Sequence, residues 1–126
     1  MKRQRAKFGR LTGGATRCFG TLQVKFLVND PDRSPMSSLR ITMKPNASHP
    51  PLWHAKTGEF FLLLAGSTWA KIDGRVRRLK AGDFVFMPPR TVHEFRAGKR
   101  GVEVLVIFSP AMNFKKPDIV LRKTHI

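Results

Sequence analysis

The sequence predicts an all-β fold, a sandwich or a closed barrel, on three observations. Short runs of strand-favouring residues recur at close, regular spacing, turn residues separate them, and no long segment carries the 3.6-residue period of a helix. Many short strands in one chain pack in these two ways. The 126 residues suit one domain with one core. Ten Phe and two Trp with no Tyr give that core large, wholly apolar rings.

Taken in order, Thr21–Val28 and Leu39–Lys44 alternate apolar and polar residues and read as strands, separated by a loop at Asn29–Pro35. A proline-rich bend, Pro45–Pro51, precedes a strand at Glu59–Leu64, which Gly66-Ser67 ends. Trp69–Ile72 and Val76–Leu79 flank Asp73-Gly74, a pair that favours a tight hairpin with positive φ at both central residues. Phe84–Met87 follows, and Pro88-Pro89 stops its pairing because proline has no N–H to donate. His93–Ala97, Val102–Phe108 and an edge strand at Ile119–Arg122 complete the series. Residues 1–20 read as a basic, partly flexible N-terminal arm and residues 21–126 as a single barrel domain.

Charge is the second strong feature. Twenty-four Lys and Arg against eight Asp and Glu give a formal +16, a field that attracts polyanions or acidic small molecules. The basic residues are spread along the chain and match no helix-turn-helix, zinc-finger or aromatic RNA-binding pattern, so nucleic acid is an admissible but disfavoured partner. The arm has no apolar run and does not read as a secretory signal, and no stretch approaches the ~20 apolar residues of a membrane-spanning helix. The single cysteine, Cys18, excludes an internal disulfide and any multi-cysteine metal site, and a cytoplasmic, reducing location is expected.

His54, Glu59 and His93 are the candidate metal ligands. Side chains alternate along a strand, so Glu59, Phe61 and Leu63 share one face. A carboxylate on an inward, apolar face needs a cation, a hydrogen-bond partner or a proton. Two imidazoles and a carboxylate suit iron, zinc, manganese or nickel. Trp53 and Trp69 are expected in core or interface packing, and Phe84, Phe86 and Phe95 lining or filling the barrel.

The spacing of these residues resembles that of the cupin family. Its first motif runs Gly, five residues, His-x-His, three or four residues, Glu, six residues, Gly, and the stretch from Asn46 through His54 and Glu59 to Gly66 follows it. Its second runs Gly, five residues, Pro-x-Gly, two residues, His, matched by Gly82, Pro88 and His93. The resemblance covers residues 39–109 and implies a cupin jelly-roll-like β-barrel (a double-stranded β-helix) with the metal near its mouth. Leu52 stands where the motif has its first His, so the usual four-ligand set is short by one and the metal is expected to be weakly held or absent. Asn46, Arg90 and Ala97 replace two glycines and a closing Asn.

Together these readings give a substrate-binding set of Arg90, Leu52, Phe61 and Phe95, with Arg90 holding an anionic group. The leading function is a metal-dependent enzyme acting on a small anionic organic molecule, of oxygenase, lyase or isomerase type. A metal-free barrel that binds or senses such a molecule, and a basic polyanion-binding structural protein, are the alternatives. The resemblance also implies a homodimer paired through outer strands.

Overall fold

Two long strands carry the architecture, and each is longer than the sequence alternation implies. The computed structural model describes residues 5–122; the first four residues of the expected arm and the last four of the chain lie outside the described residues. Among the described residues, nine strands form one curled antiparallel sheet: β1 (Arg17–Phe19), β2 (Leu22–Val28), β3 (Ser37–Met43), β4 (Leu52–His54), β5 (Gly58–Ile72), β6 (Arg75–Lys80), β7 (Phe84–Met87), β8 (His93–Ser109) and β9 (Ile119–Leu121). The order runs β1-β2-β3-β8-β4-β9, with β5 pairing β6, β7 and β8. Pairing begins at Arg17, within the stretch expected as the arm, because Arg17–Phe19 turns back at Gly20 onto β2. No helix among the described residues is long and apolar enough to cross a membrane.

β5 fuses the expected strands 59–64 and 69–72, and β8 fuses 93–97 and 102–108. Gly66 and Gly101 do not end these strands; they bulge them, with φ of 77° and 76°. Each bulge flips the alternation of its strand. Glu59, Phe61 and Leu63 face inward before it, Thr68 and Ala70 after it. On β8 the inward set changes from His93, Phe95 and Ala97 to Val102, Val104, Val106 and Phe108. An unbulged strand would turn half of these side chains to solvent, since a one-residue slip reverses every face. Glycine is required at 66 because a Cβ there would collide with the carbonyl oxygen of Gly101.

The Asp73-Gly74 hairpin forms as expected, with φ of 50° and 81°. The register of β7 corrects the placement of two phenylalanines. Val85 pairs Phe61 and Met87 pairs Glu59 on the inner face, which leaves Phe84 opposite Leu62 and Phe86 opposite Phe60 on the outer one. Phe84 and Phe86 are therefore 65% and 58% exposed, whereas Phe95 is buried as expected. Trp69 also faces outward, 48% exposed between the buried Thr68 and Ala70, and Trp53 is half-buried on β4. The core fills the concave side, with Val24, Leu39, Leu63, Met87 and Val106 almost fully enclosed.

Candidate metal centre

Three strands deliver the three candidate ligands to one point. His54 ends β4, Glu59 lies near the start of β5, and His93 begins β8. Their ligand atoms lie within 4.8 Å of one another, and all three side chains are buried. Glu59 Oε1 is the hub, 3.1 Å from His54 Nε2 and 3.7 Å from His93 Nε2.

The partners on the far side of each ring decide which nitrogen is free. Nδ1 of His93 lies 2.9 Å from the carbonyl oxygen of Thr91, which can only accept, so Nδ1 carries the proton. When the ring carries that single proton, the lone pair of Nε2 points toward Glu59. Nδ1 of His54 faces Asp118 Oδ1 at 3.6 Å, beyond hydrogen-bond reach, and neither buried atom has another partner among the described residues. Burial works against a charge on Asp118, but the Lys56 N–H, the Thr57 hydroxyl and His54 outweigh it and hold its carboxyl below the usual range. An ionised Asp118 favours the proton on Nδ1 of His54, which turns a second lone pair toward Glu59. Two imidazole lone pairs and a carboxylate then converge on one volume. Either protons or a cation must sit among them, and the donor set fits a divalent ion.

A cavity of about 140 Å³ adjoins this cluster. Leu52, Phe61 and Phe95 line it beside His54, Glu59 and His93, and the remaining walls are almost all apolar, from β2, β3, β8 and the segment leading to β9. Phe61 and Phe95 stack nearly parallel in its wall, centroids 4.5 Å apart.

Residues 39–108 match the family described as the Cupin domain. The chain belongs to the cupin family. Solved structures carry the same fold. KdgF from a Halomonas species superposes with a TM-score of 0.73 at 21% identity, covering 82% of this chain and 92% of that one. Streptomyces PAC13 with uridine gives 0.71 at 13% identity, covering 86% and 84%. Oxalate decarboxylase from Bacillus subtilis gives 0.70 at 21% identity, covering 85% of this chain and 29% of that one. A protein of Aquifex aeolicus (strain VF5) is 34% identical over 68 residues, which span 54% of this chain and 56% of that protein.

As a cupin, the chain explains its own departures from the motifs. Asn46 and Arg90, in the two glycine positions, adopt φ of 62° and 70°, so the backbone still demands the left-handed region. Arg90 donates its backbone N–H to the His54 carbonyl oxygen at 2.8 Å, while its side chain is exposed and is not part of the cavity wall. Leu52 lines the cavity and pairs with His93 across the sheet.

His49 is not free to replace the absent imidazole. Its Nδ1 lies 2.8 Å from the Pro50 carbonyl oxygen and its Nε2 accepts the Phe95 N–H at 3.2 Å, so both nitrogens are engaged. Asp118 is the member of the site that sequence reasoning missed. It is 64 positions from His54, lies outside both motifs, and is brought there by the pairing of β4 with β9. The only sign in the sequence is that it is one of just eight acids in the chain.

Proposed function

We propose that this cupin is a metal-dependent enzyme in which His54, Glu59 and His93 hold a divalent cation and the adjoining cavity takes a small anionic organic molecule. The observation that carries the reading is the Thr91 carbonyl on Nδ1 of His93, which aims the Nε2 lone pair at Glu59. A bound divalent ion supplies Lewis-acid polarisation of a ligand oxygen. The chain's own contribution is the rest of the site. Leu52, Phe61 and Phe95 exclude water and take up an apolar body, and no Lys or Arg lines the cavity among the described residues, so the anionic group of the molecule is matched to the metal rather than to Arg90. Relatives of this fold include a decarboxylase of oxalate and a protein crystallised with uridine, which supports an enzyme without choosing the reaction.

The test is metal analysis after gentle purification, with calorimetric titration of iron(II), zinc, manganese and nickel into chelated protein. One equivalent should bind, and His54→Ala and Glu59→Ala should each abolish it. Unchanged metal content in both variants ends the proposal.

A second reading rests on the 3.1 Å contact between His54 Nε2 and Glu59 Oε1, which is a hydrogen bond if that nitrogen bears the proton. The barrel would then bind its ligand without metal, and ligand-induced thermal stabilisation would be indifferent to chelator. Two further parts belong to the proposal. The outer face carrying Phe60, Leu62, Phe84 and Phe86 is apolar enough to pair two copies of the chain as a homodimer. The lone, exposed Cys18 suits a cytoplasmic, reducing compartment.

A further inference from the structure

The fold gathers onto one outer face basic residues that are scattered along the chain. Trp69 stands at its centre, 48% exposed on the convex side of β5. The register places Arg78 of β6 directly opposite it on one side and Arg96 of β8 on the other. The Arg78 guanidinium carbon lies 5.7 Å from the indole centroid. The groove beside this indole is completed by Lys99 and Arg100, which the Gly101 bulge throws outward, and no carboxylate lines it among the described residues. Lys80, opposite Ser67, extends the basic surface along β6, while Lys71 faces Glu94 and adds no net charge.

The barrel interior explains none of this. Thr68 and Phe95, on the inner side of the same strands, line the cavity, and Trp69 and Arg96 face away from it. Nor does packing explain it, since an indole half open to water and flanked by cations buries little apolar area for its size. A flat aromatic surface inside a cationic groove matches a ligand that has both a π-face and phosphates. We propose that this face binds single-stranded nucleic acid, with a base stacked on Trp69 and phosphates held by Arg78, Arg96, Lys99 and Arg100. A single strand fits better than a duplex because only an unpaired strand offers a free base face. It fits better than a mononucleotide because the positive surface continues past the groove and the chain carries +16 overall. The site is separate from the cupin cavity, and its test does not depend on a metal there.

The experiment is fluorescence anisotropy of labelled 12-mer oligo-dT and oligo-U with the full chain, across a salt series. Binding should weaken steeply with salt. Arg78→Ala with Arg96→Ala should lower the slope of log affinity against log salt by about 1.4, the share of two phosphate contacts on a single strand. Trp69→Thr, which keeps a strand-favouring residue, should weaken binding about tenfold. Base stacking should quench tryptophan emission, and Trp69→Phe, which leaves only Trp53, should abolish the quench. Lys115→Ala with Lys116→Ala removes the same charge from an exposed loop elsewhere and should change affinity less than about threefold at moderate salt. Thermal melts establish that each variant is folded. Equal losses from the two double variants, or a quench that survives Trp69→Phe, would overturn the proposal. So would equal affinity for duplex DNA, for uridine monophosphate, or for vesicles of phosphatidylserine and phosphatidylcholine.

Discussion

Asp118 Oδ1 lies 3.6 Å from Nδ1 of His54, two buried atoms facing each other, and neither has another partner among the described residues. The other oxygen of Asp118 is fixed by the Lys56 N–H and the Thr57 hydroxyl, so the carboxylate is aimed and not free to swing away. A carboxylate behind a ligating histidine sets its tautomer and raises its basicity. Asp118→Asn should therefore lower divalent-metal affinity about 10- to 100-fold. Thr57→Ala, which removes one of the bonds fixing the carboxylate, should give a smaller loss in the same direction. Calorimetric titration of zinc or manganese into each variant measures both.

Leu52 and His54 are two apart on β4, so their side chains share a face, and both line the cavity. Leu52→His should supply a third imidazole and raise metal affinity at least about tenfold, or ~1.4 kcal/mol. Competition against a coloured chelator measures it. An unchanged affinity would mean that β4 holds residue 52 too far from the cluster.

The surroundings of His49 hold its pKa below the usual imidazole range. Burial lowers its pKa, the Pro50 carbonyl raises it, and the nearby His93 lowers it again, with Glu59 and Glu94 opposing weakly. Protonating Nε2 would set its new N–H against that of Phe95. A histidine with a depressed folded pKa contributes no penalty above its unfolded value near ~6.5, and stability falls as pH drops from there through the folded pKa. His49→Gln, whose side-chain carbonyl can still accept the Phe95 N–H, should flatten the decline in melting temperature below pH ~6.5. The measurement is a set of melts of metal-free protein from pH 8 to pH 5, read as the difference between variant and parent.

Gly66 and Gly74 have nearly the same φ, 77° and 81°, in different surroundings. An added Cβ meets nothing at Gly74 and collides with the Gly101 carbonyl oxygen at Gly66. Gly74→Ala should cost only the left-handed backbone strain, about 1–2 kcal/mol. Gly66→Ala should cost at least ~3 kcal/mol, because the bulge that keeps both halves of β5 facing the core must shift. Urea denaturation of the two variants separates conformational strain from steric overlap.

Phe84 and Phe86 are open to water in the single chain, and Phe84 stacks on Phe60 at 5.7 Å. Phe84→Ser with Phe86→Ser should shift the protein from dimer to monomer in sedimentation equilibrium. A parent that sediments as a monomer would remove the dimer from the proposal.

The cluster of His54, Glu59 and His93, which could hold a metal, was legible in the sequence because it depends on spacing. Four residues separate His54 from Glu59 and four separate Pro88 from His93, and a short connection fixes where a side chain can go. The strands were legible for the same local reason, since alternation and turn residues act over a few positions. β1 and β4 were not, because Arg17–Phe19 lies in a stretch that reads as a basic arm and Leu52–His54 follows directly on Pro50-Pro51, whereas β9, equally short, stood out as an apolar run. The fusion of four expected strands into β5 and β8 was also hidden. A glycine in a bulge and a glycine in a turn look alike until the partner strand is seen, and here Gly66 lies opposite Val102, beside the bulge at Gly101.

By itself, then, the sequence determined an all-β cupin barrel and singled out His54, Glu59 and His93, which the fold brings together. Tertiary structure alone decided what surrounds them. It brought Asp118 behind His54 through the pairing of β4 with β9, occupied both nitrogens of His49, and turned the Arg90 side chain out of the cavity. It also turned Phe84, Phe86 and Trp69 outward and set Arg78 and Arg96 on either side of the indole. The physical reason is register. Which face a residue occupies, and which distant residue lies opposite it, depends on how two strands align, and one bulge reverses the answer for every position beyond it.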